Sequence, residues 1–216
     1  LDCLKAQGVR TIFGMPGTQN LALYDALHRG GQGIQHILIR NEQAASMMAG
    51  GFARASGQVG VALTVPGPGA SNAATGIGDA YTDCQPVLLI TGGVERFMQH
   101  RDRSKMFHGL DQESFFKPIV RYYGCPKSAA QIPQTVRAAF AAMWAGRPGP
   151  AVIEIPPDVA AEETANPCIP QRVVPRLDKT PSPAAVQQAA SLLRNCNRPA
   201  ILVGGDVIAC NAMPAL

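Results

Sequence analysis

The sequence predicts an α/β fold: a doubly wound parallel sheet with helices on both faces, followed by a linker and the start of a second α/β domain. Three observations predict it. Runs rich in Val, Ile and Leu recur with little polar alternation, as strands buried on both faces require. Helical segments occupy the gaps between them. Turns rich in Gly and Pro stand just after several of the runs, where an open parallel sheet binds its ligands.

In order along the chain, Leu1 to Gln7 reads as the back half of a helix already under way, with the true start upstream. Strands are expected at Arg10–Phe13, His36–Arg40, Val59–Val65, Pro86–Thr91, Ile119–Tyr122 and Ala151–Ile155. Helices are expected at Leu21–His28, Glu42–Ser56, Ala70–Tyr81 and Ile132–Ala145, each an Ala-rich or amphipathic stretch. The first domain thus covers residues 1–158. Residues 159–181 are rich in proline and poor in periodicity, which reads as an extended linker. Ser182 is a natural N-cap and Pro183 suits a first helical position, so a helix over Ala184–Asn195 follows. The run Pro199–Gly205 reads as a strand. One helix and one strand cannot enclose a core, so residues 182–216 read as the truncated start of another domain.

Composition narrows the function. Hydrophobic residues make up 46% and charged residues 16% of the 216, enough for a sizeable core and unlike a disordered chain. A net charge of +4 without a dense basic tract argues against nucleic-acid binding. The six cysteines lack metal-binding or disulfide-framework spacing, and the four histidines lack ligand spacing, so no metal site is expected. Free thiols, no signal-peptide layout and no apolar run near the ~20 residues of a membrane span lead to the expectation of a cytoplasmic protein.

The chemistry centres on Glu42, a carboxyl at the first turn of a predicted helix just past an apolar run. An acid there is also what the helix dipole favours by itself. Its company supports a site: Phe13-Gly-Met-Pro16-Gly17, then Thr64-Val-Pro66-Gly67-Pro68-Gly69-Ala-Ser-Asn72, then Thr91-Gly-Gly. Glycines let a backbone approach a ligand closely, though Gly67-Pro68-Gly69 can equally be a tight strand-to-helix turn. The pattern Gly67-x-Gly69-x-x-Asn72 lacks the third glycine of a dinucleotide loop.

These motifs, with Arg40-x-Glu42-Gln43-x-Ala45, Gly51-Phe-Ala-Arg54-x-x-Gly57, Asp79-Ala-Tyr81-x-Asp83-x-x-Pro86 and Gly146-Arg-Pro-Gly-Pro150-Ala-Val-Ile-Glu-Ile-Pro156-x-Asp158, stand in family-like order. The chain resembles the amino-terminal pyrimidine-binding domain of thiamine-diphosphate enzymes, in the acetohydroxyacid (acetolactate) synthase and 2-oxo-acid decarboxylase branch. The resemblance implies a specific role for Glu42: its carboxyl hydrogen-bonds a ring nitrogen of the cofactor's aminopyrimidine and favours the imino tautomer. It also implies that Pro16, Gly17, Thr64, Pro66, Gly67, Pro68, Gly69 and Asn72 lie against the cofactor.

The charged stretch Glu95–His108 is either a solvated surface loop or, by the resemblance, the active-site mouth. His108 falls roughly where acetohydroxyacid synthases carry a glutamine, and the adjacent histidine pair of pyruvate decarboxylases is missing, since His100 and His108 stand apart. His108 is a candidate proton shuttle, with a structural role as the alternative. Phe107, Phe115 and Phe116 read as core or interface.

The resemblance further implies a 2-oxo acid substrate, magnesium held by a Gly-Asp-Gly motif in a region this chain lacks, a flavin in some relatives, and a homodimer or homotetramer whose subunits share each site. By that logic the chain alone is inactive. A second reading is a non-catalytic scaffold that keeps the fold and pairs with a partner chain, although such a module has little reason to retain Glu42.

Overall fold

A computed structural model describes residues 1–164, 172–173 and 181–216. Contacts divide the chain into two units, Leu1–Pro175 and Arg176–Leu216. Most of the expected linker, Cys168 included, lies outside the described residues.

The first unit is built in the order α1 (Asp2–Ala6), β1 (Thr11–Gly14), α2 (Leu21–Gly30), β2 (Gln35–Leu38), α3 (Glu42–Ser56), β3 (Gly60–Thr64), α4 (Pro68–Thr82), β4 (Val87–Gly92), α5 (Gln112–Phe116), β5 (Tyr122–Gly124), α6 (Ile132–Trp144), β6 (Ala151–Ile155) and α7 (Pro157–Ala160). All six strands are parallel, in the order β2-β1-β3-β4-β6-β5. Alternate residues of each inner strand feed two cores. Val61, Leu63, Leu88, Ile90, Ala151 and Ile153 pack with Phe140 and Met143 of α6. Ala62, Val87, Leu89 and Val152 pack with Ala45 and Ala49 of α3, Ile77 of α4 and Phe116 of α5. The doubly wound α/β reading is therefore the observed architecture, and the continuous apolar runs follow from burial on both faces.

Two strands of this unit depart from expectation by more than one residue at an end. β2 stops at Leu38 rather than Arg40, because its one neighbour, β1, ends opposite it at Gly14; Ile39 N–H still donates to Gly14 O at 3.1 Å. β5 begins at Tyr122, not Ile119, because Lys117–Ile119 forms a 3₁₀ turn around Pro118. It then pairs from Ala151 onward, where β6 starts after Pro150.

The second unit carries α8 (Pro183–Arg194), where the Ser182 hydroxyl accepts from Ala185 N–H at 3.2 Å, and a short α9 (Asp206–Ala209). The strand expected over 199–205 is not formed: 201–204 carry no regular structure, and Leu202 is fully exposed. A lone extended segment has no neighbour to satisfy its backbone groups.

No helix among the described residues is long and apolar enough to cross a membrane.

Candidate active site

The strand order reverses at β1, since β2 lies on one side of it and β3 on the other. The turns after β1 and β3 therefore meet at the carboxyl edge, where a crevice opens in such sheets. Their packing is close. A Cβ at Gly17 would overlap Val65 Cγ1, and one at Gly92 would lie 2.9 Å from both Gln19 O and Pro66 Cδ. Pro16 and Gly17 are held from the other side by Asn20, which is buried, accepts from Gly17 N–H at 2.8 Å and donates to Met15 O at 3.3 Å.

Glu42 is the first residue of α3, and Asn41 caps that helix by accepting from Gln43 N–H at 2.8 Å. Small residues set the position of α3. Ala45, Ser46, Ala49 and Ala53 are buried, a Cβ at Gly60 would overlap Ala49 O, and one at Gly76 of α4 would lie 2.7 Å from Met47 N. The carboxyl of Glu42 then meets the turn before α4. Asn72 Nδ2 donates to Glu42 Oε2 at 3.2 Å. Oε1 faces Gly69, where a Cβ would stand 3.3 Å away and collide with Val65 Cγ2 at 2.6 Å. One carboxyl oxygen is thus held and the other faces Gly69 beside the Val65 side chain.

Gly67 caps α4 with φ 62 and ψ −115, a conformation open essentially to glycine. A Cβ there would lie 2.8 Å from His108 Cα. Glu42 and His108 therefore flank one turn, touching glycines two residues apart. His108 itself has φ 59, stacks on Phe107 at 3.8 Å, and has a buried Nδ1 without a partner. Thr64 Oγ1, at the end of β3, is likewise buried without a partner. Pro68 begins α4 and, with Gly67, Arg103, His108, Leu110 and Asp111, lines an open cleft of about 550 Å³. Pro66 packs toward Gly92.

A second set of polar residues sits across the edge on β4, α5, β5 and β6; in the sequence Thr91 and Glu154 stand only inside motifs, and Gln112 and Tyr123 are not singled out. Gln112 is buried, accepts from Thr91 Oγ1 at 3.1 Å and donates to Gly92 O at 3.0 Å. Glu154 is 3% exposed and accepts a short hydrogen bond from the Tyr123 hydroxyl. Burial pushes the Glu154 carboxyl up from the usual range, an effect tempered by Tyr123, the Arg103 charge and Gln112. The signal for Glu154 was available: an acid inside the apolar run Ala151-Val-Ile-Glu-Ile. Gln112 and Tyr123 carried none, because their elements were not correctly bounded. Of the aromatics, Phe116 is core, whereas Phe107 is largely exposed. Among the described residues no group of three metal-ligating side chains converges.

An open parallel sheet with a helix-borne carboxyl and glycine-rich turns at its switch point belongs to the class of α/β domains that bind ligands at the carboxyl edge. The chain belongs to the thiamine pyrophosphate enzyme family: the profile described as "Thiamine pyrophosphate enzyme, N-terminal TPP binding domain" matches residues 1–115. It is 40% identical over its whole length to a probable acetolactate synthase large subunit of Methanocaldococcus jannaschii, covering 36% of that protein. It is 38% identical to the isozyme 3 large subunit of Escherichia coli acetolactate synthase, with 94% of this chain and 35% of that protein aligned. The acetolactate synthase large subunit of Lactococcus lactis shares 40% identity over 96% of this chain and 36% of its own length. The chain thus spans about a third of the length of these relatives.

Groups at this edge are available to such a cofactor. Glu42 offers one free-facing carboxyl oxygen, Gly69 offers a flat approach, and Thr64 offers a buried hydroxyl without a partner.

Proposed function

We propose that this chain forms the aminopyrimidine half of a thiamine-diphosphate site in an acetolactate synthase-like enzyme, which decarboxylates a 2-oxo acid and passes the remaining fragment to an acceptor carbonyl or a proton. One observation carries the reading: the Glu42 carboxyl, fixed by Asn72 through Oε2, presents Oε1 to the bare backbone at Gly69.

When bound, thiamine diphosphate supplies the nucleophilic carbon and the electron sink that loss of carbon dioxide requires. The chain's own residues orient and protonate. Glu42 would share a proton with a ring nitrogen through Oε1, and the α3 cap and the Gly60 and Gly76 contacts hold it in place. Gly67, Pro68, Gly69 and Thr64 would hold the group at that ring. Pro16, Gly17 and Pro66 would line the same edge, with Gly17 closed against Val65 and Pro66 against Gly92. His108, locked onto Gly67, stands at the mouth as a proton-transfer residue. Magnesium for the diphosphate, a flavin in a structural role, a homodimer or homotetramer that closes the site, and a cytoplasmic location belong to the same proposal and are supported by the likeness to acetolactate synthases.

The test is carbon dioxide release by the full-length protein from a panel of 2-oxo acids, with thiamine diphosphate and magnesium present or omitted. Release is expected to need both and to fall at least about 100-fold in Glu42→Ala. Release that persists without cofactor, or in the variant, overturns the reading.

A further inference from the structure

The cleft beside the Gly67 turn has one lining cation, and it is the one cation of its loop without an acidic or aromatic partner among the described residues. Arg96 pairs with Asp158 at 2.7 Å. Arg101 lies over the Phe97 ring at 5.9 Å. Lys105 is 3.6 Å from Asp102. Arg103 forms no ion pair; its Nη1 donates to Leu110 O at 2.9 Å. A guanidinium has five N–H donors, so donors beyond this one remain for a ligand.

The nearby acids do not take it. Asp111 caps α5, its carboxylate accepting from Ser114 Oγ at 2.8 Å and Ser114 N–H at 3.3 Å. Those hydrogen bonds first, and the Arg103 charge after them, hold the Asp111 carboxyl below its usual range. Glu154 is buried behind the loop and bonded to Tyr123. Both acids feel the Arg103 charge without reaching it. The loop that carries Arg103 is closely packed on itself: a Cβ at Gly109 would overlap Arg103 O, and Gly109 N–H donates to Met106 O at 3.2 Å. A fixed cation with free donors, in an open cleft beside His108 and the Gly67–Gly69 turn, is built for an anion.

We infer that Arg103 anchors the carboxylate of the substrate, holding a 2-oxo acid in the cleft between the β3–α4 turn and the 103–111 loop. This rests on the proposed function and adds to it the residue that selects a charged substrate. Such an anchor acts on the charged ground state and loses its partner as the carboxylate departs as carbon dioxide, so its removal raises KM and does not lower kcat.

The experiment compares wild type, R103Q and R103K in the full-length protein, saturated with thiamine diphosphate and magnesium and with pyruvate as the probe. Three quantities are read: KM and kcat for pyruvate, the concentration of thiamine diphosphate giving half activity, and inhibition by methyl pyruvate, which lacks the charge. R103Q is expected to raise KM about 10- to 100-fold, with R103K recovering part of the loss. Cofactor half-saturation and methyl pyruvate inhibition are expected to stay within about twofold, since neither involves the carboxylate, and kcat is not expected to fall. A KM that stays near wild type in R103Q overturns the inference. So does a joint worsening of KM, methyl pyruvate inhibition and cofactor half-saturation, which would mean that Arg103 only braces the loop through Leu110. A wild-type protein that consumes no 2-oxo acid overturns the proposed function and this inference with it; a wild type that turns over while R103Q is indifferent overturns the inference alone.

Discussion

The two halves of the sheet's carboxyl edge are built by opposite means. Around β1 and β3 the structure relies on missing side chains: Gly17, Gly67 and Gly69 let backbone and neighbouring groups meet where a methyl would collide. Around β4, β5 and β6 it relies on polar atoms satisfied inside the protein, with Thr91, Gln112, Tyr123 and Glu154 linked by hydrogen bonds. The first half accommodates a ligand and the second stiffens the wall behind it. Sterics should therefore govern substitutions in one half, and hydrogen bonding and charge those in the other.

The largest expected effect tests the steric half. Gly67→Ala combines a backbone conformation disfavoured for L residues with a contact against His108 Cα, and should cost about 4 kcal/mol by urea unfolding. A loss below about 1 kcal/mol would show that the turn and the His108 loop can separate freely. Next comes the polar half. Tyr123→Phe removes the hydroxyl that donates to buried Glu154 and keeps the ring, so a loss of about 2 kcal/mol is expected; no loss would show that the pair is dispensable.

The smallest effect is a slope with pH. Burial raises the Glu154 carboxyl in the folded chain, so the folded state holds its proton more tightly than the unfolded state does. Stability from this group is then complete below the ordinary value of 4.5 and declines as pH rises through that value toward the raised one. Glu154→Gln, neutral throughout, is expected to flatten that decline while Gln still accepts from Tyr123. A variant whose melting temperature keeps the wild-type pH dependence would place the titration elsewhere, with Tyr123, Arg103, Cys125 and Lys127 the other ionisable groups acting on this carboxyl or acted on by it.

The same contrast explains what could be read from the chain alone. Helix α3 was legible to the residue, because Asn41, the Ala-rich run and Gly57 mark its start, body and end. The Gly-Pro turns were legible because glycine and proline announce their geometry. β5 was misplaced, because its apolar run continues into a 3₁₀ turn and only pairing with β6 decides where the strand begins. The expected strand over 199–205 has apolar residues but no neighbouring strand, and composition by itself cannot form a ladder. Gln112 and Tyr123 escaped notice because hydrogen bonds between residues far apart in the chain, such as Thr91 to Gln112 and Tyr123 to Glu154, leave no local pattern. Arg103 was present in the reading only as one charge among several in a loop, and its isolation from acids is visible only in three dimensions.

The close seat of α3 has a further result for Glu42. Where Gly60 meets Ala49 and Gly76 meets Ser46, the helix rests on backbone and small-residue walls, with no long side chain to act as a spring. Such a contact is a hard stop, so the acid's distance from the turn should drift little with temperature. By the same token, one added methyl at Gly60 or Gly76 would move the whole helix as a lever and shift the carboxyl from residues that never touch a ligand.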